Sequence, residues 1–385
     1  MSRKKILILF PQQHIAYSPT TLGIYDALAV HADVTIYCPF PGEFQASDKE
    51  NRKFIFFKLD TSRIKKLTAL PSFIIHKLKT RLNKNNALGH LGIYNFSRFI
   101  AFKKAINKIN IAAFDEVIAV DVLMLLAVQD HCTLASFVSL ELNEEEKATL
   151  QCVPAAFIKT VVIQNQQRYA YLFGERKHNV YFVQNAPELF KQQPKEKKEN
   201  ALVFNGTATA WFGLYHSLNF IKKYPLFSLT FKGVVQSSEK NIIHSAYKEI
   251  IHAGKIVFNN EYTSNSEMLE FLNQFEIGFC FYDLNYPKMN TFNYRTAPSG
   301  KMFAYFAAGV PVIGNNIDGL KPVEEFEAGV LINDFTPETI LQAVNKIKTN
   351  YAYYENNCYK AAAYFSFDKA IEPFVKELIN SYLEI

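Results

Sequence analysis

Lys4-Lys5-Ile6-Leu7-Ile8-Leu9-Phe10, the helically spaced residues 20–32, and Asp33-Val34-Thr35-Ile36-Tyr37-Cys38 decide how this chain begins to fold. The first run is short, apolar and ended by Pro11, the form of a strand buried on both faces. The third is strand-like again, so strand, helix and strand follow within forty residues as a βαβ unit. Further apolar runs at 54–59, 116–120, 135–140, 160–163 and 180–183 are mostly separated by helical spacing. A parallel, doubly wound sheet accounts for them.

The alternation stops at 191–200, KQQPKEKKEN, which holds almost nothing to bury and reads as a linker between domains. It restarts with strands expected at 201–204, 227–231, 256–258, 277–281, 310–313 and 330–332 and a helix near 215–223. Ser264 and Glu267 form a capping box ahead of Met268, Leu269 and Leu272, and Thr336-Pro337 opens a helix with Ile340, Val344 and Ile347 on one face. The expected organisation is a first domain over 1–190, the linker 191–200, a second domain over 201–365, and a last helix over 366–385 packing back on the first domain. Pro373 should bend that helix. Two doubly wound domains would face each other across a cleft beyond the carboxyl ends of their strands.

The chain has 385 residues, of which 49% are apolar and 20% charged in both signs, which excludes a disordered chain and favours two cores over one. The run from Ile6 to Phe10 is too short for a secretory signal, and no apolar stretch of about 18 residues occurs, so a soluble or peripheral protein is expected. Cysteines at 38, 132, 152, 280 and 358 are odd in number and lack metal-ligand spacing, the pattern of reduced cytosolic thiols; no metal site is expected.

Charge is concentrated. Residues 52–108 hold fourteen Lys or Arg against one acid, Asp60, a net of +13, so the rest of this +6 chain carries −7. Within the block, Phe73, Ile74, Ile75, Leu78 and Leu82 interleave with Lys77, Lys79, Arg81 and Lys84. Apolar rows flanked by long cations suit a helix lying on an anionic membrane; a packed helix with a solvated basic face is the plainer reading. No nucleic-acid motif accompanies the charge, so nucleic acid is not the expected partner.

Ala297-Pro298-Ser299-Gly300-Lys301-Met302-Phe303-Ala304-Tyr305-Phe306-Ala307-Ala308-Gly309-Val310-Pro311-Val312-Ile313 carries the chemistry. Pro298, Ser299 and Gly300 let amide N–H groups approach an anion at the first turn of a helix, where the dipole favours negative charge. Lys301, with Arg295 six residues before it, adds cationic donors for a diphosphate. The ordinary alternative is Ser299 as a plain cap with Lys301 facing water. This is not a Walker loop, because no upstream Gly has the spacing and Met302 replaces Ser or Thr.

The stretch resembles the "PSK…E-Y-M-A-A-G-x-P-V-I" pattern of GT-B fold glycosyltransferases, particularly the family-4-like group (glycosyl transferases group 1) that uses nucleotide sugars. Glu276 to Phe281 resembles the strand before that motif, and Gly319, Glu324, Gly329 and Val330 resemble the segment after it. The resemblance covers roughly 75 residues and implies an α/β GT-B protein of two Rossmann-like domains, the second holding a UDP- or GDP-linked sugar without a separate cofactor. It places Gly206 and Thr207 in a turn near the donor phosphates; Lys232, after the next strand, is a further candidate for the phosphates, and Glu324 or Glu325 for donor hydroxyls, an exposed acid at a helix start being the plainer reading. A plain β-turn is the alternative for the first pair. Where relatives carry two Glu residues, this chain has Thr296 and Ala304, and where they carry a basic residue after the Gly turn it has Trp211-Phe212-Gly213.

In the first domain, 135–146 (ASFVSLELNEEE) resembles "V-Y-D-x-H-E-L-x-x-E", with Glu141 aligned and Leu140 at the His position. Glu141 is one candidate catalytic base, His14 on the loop after the first strand is a second, and Asp121 after the run 117–120 a third. The expected activity is metal-independent glycosyl transfer to a lipid-linked or saccharide acceptor in polysaccharide, lipopolysaccharide or glycolipid synthesis. The expected place is the cytoplasm, peripheral at the inner face of the plasma membrane. Alternatives are a GT-B binding or scaffold protein without catalysis, suggested by Thr296 and Ala304, and a GT-B-like sugar-nucleotide epimerase.

Overall fold

The opening run forms β1 (Lys5–Leu9), and the next forms β2 (Asp33–Pro39) beside it, parallel and in register from Lys5 opposite Asp33 to Leu9 opposite Tyr37. A computed structural model describes residues 3–40, 52–59, 63–82, 86–142, 144–189, 196–261, 263–286, 289 and 291–380. β3 (Phe54–Phe57), β4 (Glu116–Val120), β5 (Ala135–Val138), β6 (Ile158–Ile163) and β7 (Asn179–Phe182) complete a sheet of order β3-β2-β1-β4-β5-β6-β7. Every pairing in it is parallel. The order reverses direction between β1 and β4, so the loops leaving those two strands diverge and open a recess, the place where such sheets bind ligands.

A second all-parallel sheet has the order β10-β9-β8-β11-β12-β13, from β8 (Ala201–Asn205), β9 (Ser228–Lys232), β10 (Ile256–Asn259), β11 (Ile277–Cys280), β12 (Val312–Asn315) and β13 (Gly329–Ile332). Its reversal lies between β8 and β11. Period-two alternation sorts the side chains into two cores. Leu202, Phe204, Phe231, Ile277 and Phe279 pack on one face with Leu218, Phe220 and Val344. Val203 and Cys280 point to the other face, against Met302, Phe303, Tyr305, Phe306 and Cys358. Burial on both faces explains why these strands read as unbroken apolar runs.

The chain divides into two compact units, Met1–Gln184 with Asp368–Ile385, and Asn185–Phe367. The change of unit falls a few residues ahead of the expected linker. Residues 191–195 lie outside the described residues, while Lys198 and Asn200 are already bonded into the second unit through Gln274 and Glu276. The last helix, Phe367–Asn380, joins the first unit: Lys4 Nζ donates to the Leu378 carbonyl and Tyr181 to the Glu377 carboxylate. Ser264 and Glu267 make both bonds of the capping box, and Thr336 accepts from the Thr339 amide. All five cysteines are free thiols. Among the described residues no helix is long and apolar enough to cross a membrane.

Candidate functional site

At the β8/β11 reversal three chain segments meet. β8 ends at Asn205, and Gly206 turns the chain with φ +105°. Its amide donates to the Lys232 carbonyl at the end of β9, and Gly233, at φ +138°, follows that carbonyl. A side chain on Gly233 would stand 2.4 Å from the Gly206 oxygen, so the two turns abut backbone to backbone as only glycines allow. The helix Gly300–Ala307 starts beside them, and its Lys301 stem crosses Gly206 so closely that a Cβ there would lie 2.7 Å from Lys301 Cε. Tyr305, fully buried, fixes this helix: its hydroxyl accepts from the Asn205 amide at 2.7 Å, just where the β8–β11 ladder stops.

Lys301 ends in an aromatic enclosure. Its Nζ lies 4.2 Å from the Phe212 ring centroid, 4.9 Å from Phe204 and 5.6 Å from Tyr282. Among the described residues no carboxylate pairs with it and no hydrogen bond occupies it. Desolvation by these walls lowers its pKa from the ordinary lysine value, although the side chain keeps partial exposure. An ammonium held among ring faces without a counter-charge is attracted to an incoming anion, because nothing in the protein already neutralises it.

Ser299 occupies the N-cap position but does not cap. It is buried, and its hydroxyl accepts from Tyr282 at 2.9 Å and from the Cys280 thiol at 3.3 Å. Neither ordinary role in the sequence reading therefore applies, since Ser299 turns inward and Lys301 faces rings rather than open water. Ser299 thus caps nothing; the Cys280 sulfur accepts from the Met302 amide, while the Gly300 and Lys301 amides have no hydrogen-bond partner among the described residues and can meet an anion. Gly300 packs against Asn185, whose Nδ2 would lie 2.8 Å from a Cβ.

Gly206, Ser299, Gly300 and Lys301 are thus gathered at one point, and exposed Thr207 follows Gly206 in the same turn. Lys232 is placed otherwise. Its buried ammonium donates to Asn259 Oδ1 at 2.9 Å and to the Glu261 carbonyl at 2.8 Å, over the Phe271 ring, so it serves the β9–β10 end instead of a phosphate. Arg295 is exposed on the short helix Phe292–Thr296, and Glu324 is exposed on Pro322–Glu325. Thr296 is buried and donates to the Phe292 carbonyl. Phe204, Phe212 and Tyr282 escaped the sequence reading, because an apolar ring carries no signal of its chemistry until a cation lies over it.

The first unit has a comparable point at the β1/β4 reversal. Asp121 ends β4 at φ 70°, ψ 150°, a conformation rare for a residue with a side chain, and accepts from the Leu123 amide. Burial raises its pKa, and the Arg98 guanidinium pulls it back down. Arg98 donates to the Pro11 carbonyl at 3.0 Å, joining the loop after β1, which carries exposed His14, to the end of β4. Glu141 lies exposed after β5, near enough to raise the Asp121 pKa and to be felt by buried Arg168. The basic block is accordingly not one surface. Arg98 faces this recess, Arg52 is bidentate to Asp26, Lys53 pairs with Asp33 and Lys103 with Asp130.

No protein-family profile matches this sequence, and no curated protein sequence matches it. Solved structures do. HepE of Anabaena, crystallised with UDP and glucose, aligns with TM-score 0.64 at 12% identity, covering 99% of this chain and all of that one. Sucrose-phosphate synthase of Thermosynechococcus elongatus aligns at 0.63 and 13% identity, covering 99% of each. WaaG, a glycosyltransferase involved in lipopolysaccharide biosynthesis, aligns at 0.59 and 11% identity, covering 96% and 98%. The chain has the α/β GT-B fold, two Rossmann-like domains.

Proposed function

We propose that this protein is a glycosyltransferase that moves a sugar from a nucleotide diphosphate to an acceptor hydroxyl. The observation that carries the reading is Lys301: an ammonium without a counter-charge, walled by three rings, beside uncapped helix amides and two abutting glycine turns. Such a site stabilises the departing diphosphate by preorganised charge, so departure needs no metal ion. The bound UDP of HepE, on the same fold, supports a UDP-linked donor, with GDP the other option. Asp121 is the favoured base. It sits at the end of β4 in a rare backbone conformation, and burial raises its pKa, which suits proton transfer from the acceptor; Glu141, after β5, and His14, on the loop after β1, are the other candidates.

The helix Arg63–Leu82 supports a lipid-linked acceptor at the inner membrane face. Leu70, Ile74, Leu78 and Leu82, four residues apart, form an exposed apolar row beside Lys79 and exposed Arg81. Lys84 of the same block lies outside the described residues. Nearby, Lys58, Lys104 and Lys108 line a cavity of about 430 Å³ with Ser72 and Ile100, a setting for an anionic headgroup over an acyl chain. Surface polysaccharide or lipopolysaccharide synthesis is the fitting context.

The replacement of two family carboxylates by Thr296 and Ala304 favours a second reading, a nucleotide-binding protein without turnover. UDP and GDP release across a nucleotide-sugar panel, with wild type and Lys301→Ala, separates the two. Release that Lys301→Ala abolishes supports transfer, and tight nucleotide binding with no release supports the second reading. Absence of any nucleotide binding by the wild type rejects both.

A further inference from the structure

A cavity of about 470 Å³ opens at the carboxyl ends of β11, β12 and β13, on the far side of β11 from the β8 turn. Its size falls within the ~300–1,000 Å³ of small-molecule sites. Asn285, Asn315, Asn316 and Asn333 line it with Asp283, Asp334 and His216, and neither Lys nor Arg does. Both carboxylates already have partners. Asp283 accepts from His216 Nε2 at 2.9 Å and from the Asn285 amide, and Asp334 accepts from the Thr336 amide and hydroxyl. The lining therefore repels phosphate while leaving no bare charge to draw a cation.

Unused hydrogen-bonding capacity remains in the amides. Asn315 is 7% exposed, and its Oδ1 accepts from the Tyr282 amide at 2.9 Å, leaving its Nδ2 without an acceptor among the described residues. Asn333 Oδ1 accepts from Asn316, again leaving an NH2 group, and the Asn285 side chain makes no hydrogen bond among the described residues. One wall is flat: His216 stacks on Phe335 at 4.5 Å and 16°. Amide donors and acceptors around a flat ring pair match a pyranose, whose hydroxyls need both and whose C–H face needs an apolar plate.

We propose that this cavity binds a neutral saccharide ring. The inference goes beyond the transfer reading, since the lining shares only Tyr282 with the enclosure around Lys301.

The test uses the full chain. Saturation-transfer NMR with glucose, galactose, N-acetylglucosamine and maltotriose probes free saccharide, and calorimetry measures UDP and UDP-glucose. At least one free sugar should receive saturation from the wild type. Asn285→Ala with Asn333→Ala, both exposed side chains, should weaken that sugar at least tenfold and leave UDP within twofold. No transfer to any sugar, or a double variant that binds sugar like the wild type, overturns the proposal. Equal loss of UDP overturns it too, because the cavity would then hold the nucleotide. Displacement of the free sugar by UDP-glucose but not UDP identifies the ring as the donor's own; simultaneous binding identifies a separate saccharide. A wild type that binds sugar but no nucleotide would remove the Lys301 reading and leave this one standing.

Discussion

Lys301 acts through its surroundings more than through its identity. Because burial lowers its pKa, nucleotide affinity should fall as pH rises through a value below the ~10.4 of an ordinary lysine, the ammonium being lost there. Phe212→Ala opens the nearest wall, so the fall should move to higher pH, and the lost cation–π contact should weaken binding by about 0.5–2 kcal/mol. Nucleotide Kd measured against pH for both proteins checks this. Asp121 runs in the other direction. Its raised pKa keeps the acid protonated to higher pH than the ordinary ~3.9, so if it is the base, kcat should rise with pH through that displaced value. Asp121→Asn should abolish that limb and most of the turnover while leaving nucleotide affinity unchanged; a pH profile unaltered in the variant would remove Asp121 from the mechanism.

At the scale of elements, the site depends on glycine turns that let two strand ends and a helix stem touch. Gly206→Ala places a side chain at positive φ, costing about 1–2 kcal/mol, and forces the Lys301 stem to shift from a point 2.7 Å away. Urea denaturation should show that loss, and calorimetry should show a further loss of nucleotide affinity absent from a surface control such as Gly254→Ala, also at positive φ but in open space. The sequence did announce the turn and the helix start, since small residues after an apolar run carry a local signal. It did not announce that Ser299 turns inward to Tyr282 and Cys280, because a cap and a buried hydroxyl look identical without the neighbouring strand.

Across the whole molecule, the chain crosses from the first unit to the second and returns. Ile371, Phe374 and Leu378, which return to the first unit, are buried, and at roughly 1.5–3 kcal/mol each their loss rivals the ~5–15 kcal/mol stability of a domain. Deletion from residue 368 onward should therefore remove the melting transition of the first unit and spare that of residues 185–367, as calorimetry of the truncated chain would show. Lys77→Glu with Arg81→Glu should abolish co-sedimentation with phosphatidylglycerol vesicles, given about 1 kcal/mol per cation near an anionic surface; undiminished binding would refute the membrane reading. The parallel sheets were legible because strands buried on both faces must be continuously apolar, and the start of the Gly300–Ala307 helix because small residues after an apolar run mark it locally. Only the tertiary structure decided which cations have internal partners, as Lys232 and Arg98 do, and that Lys301 has rings around it and no carboxylate among the described residues. The reason is that a charge's availability depends on groups distant in sequence: Phe204, Phe212 and Tyr282 come from three separate segments, and no local pattern records that they close around one ammonium.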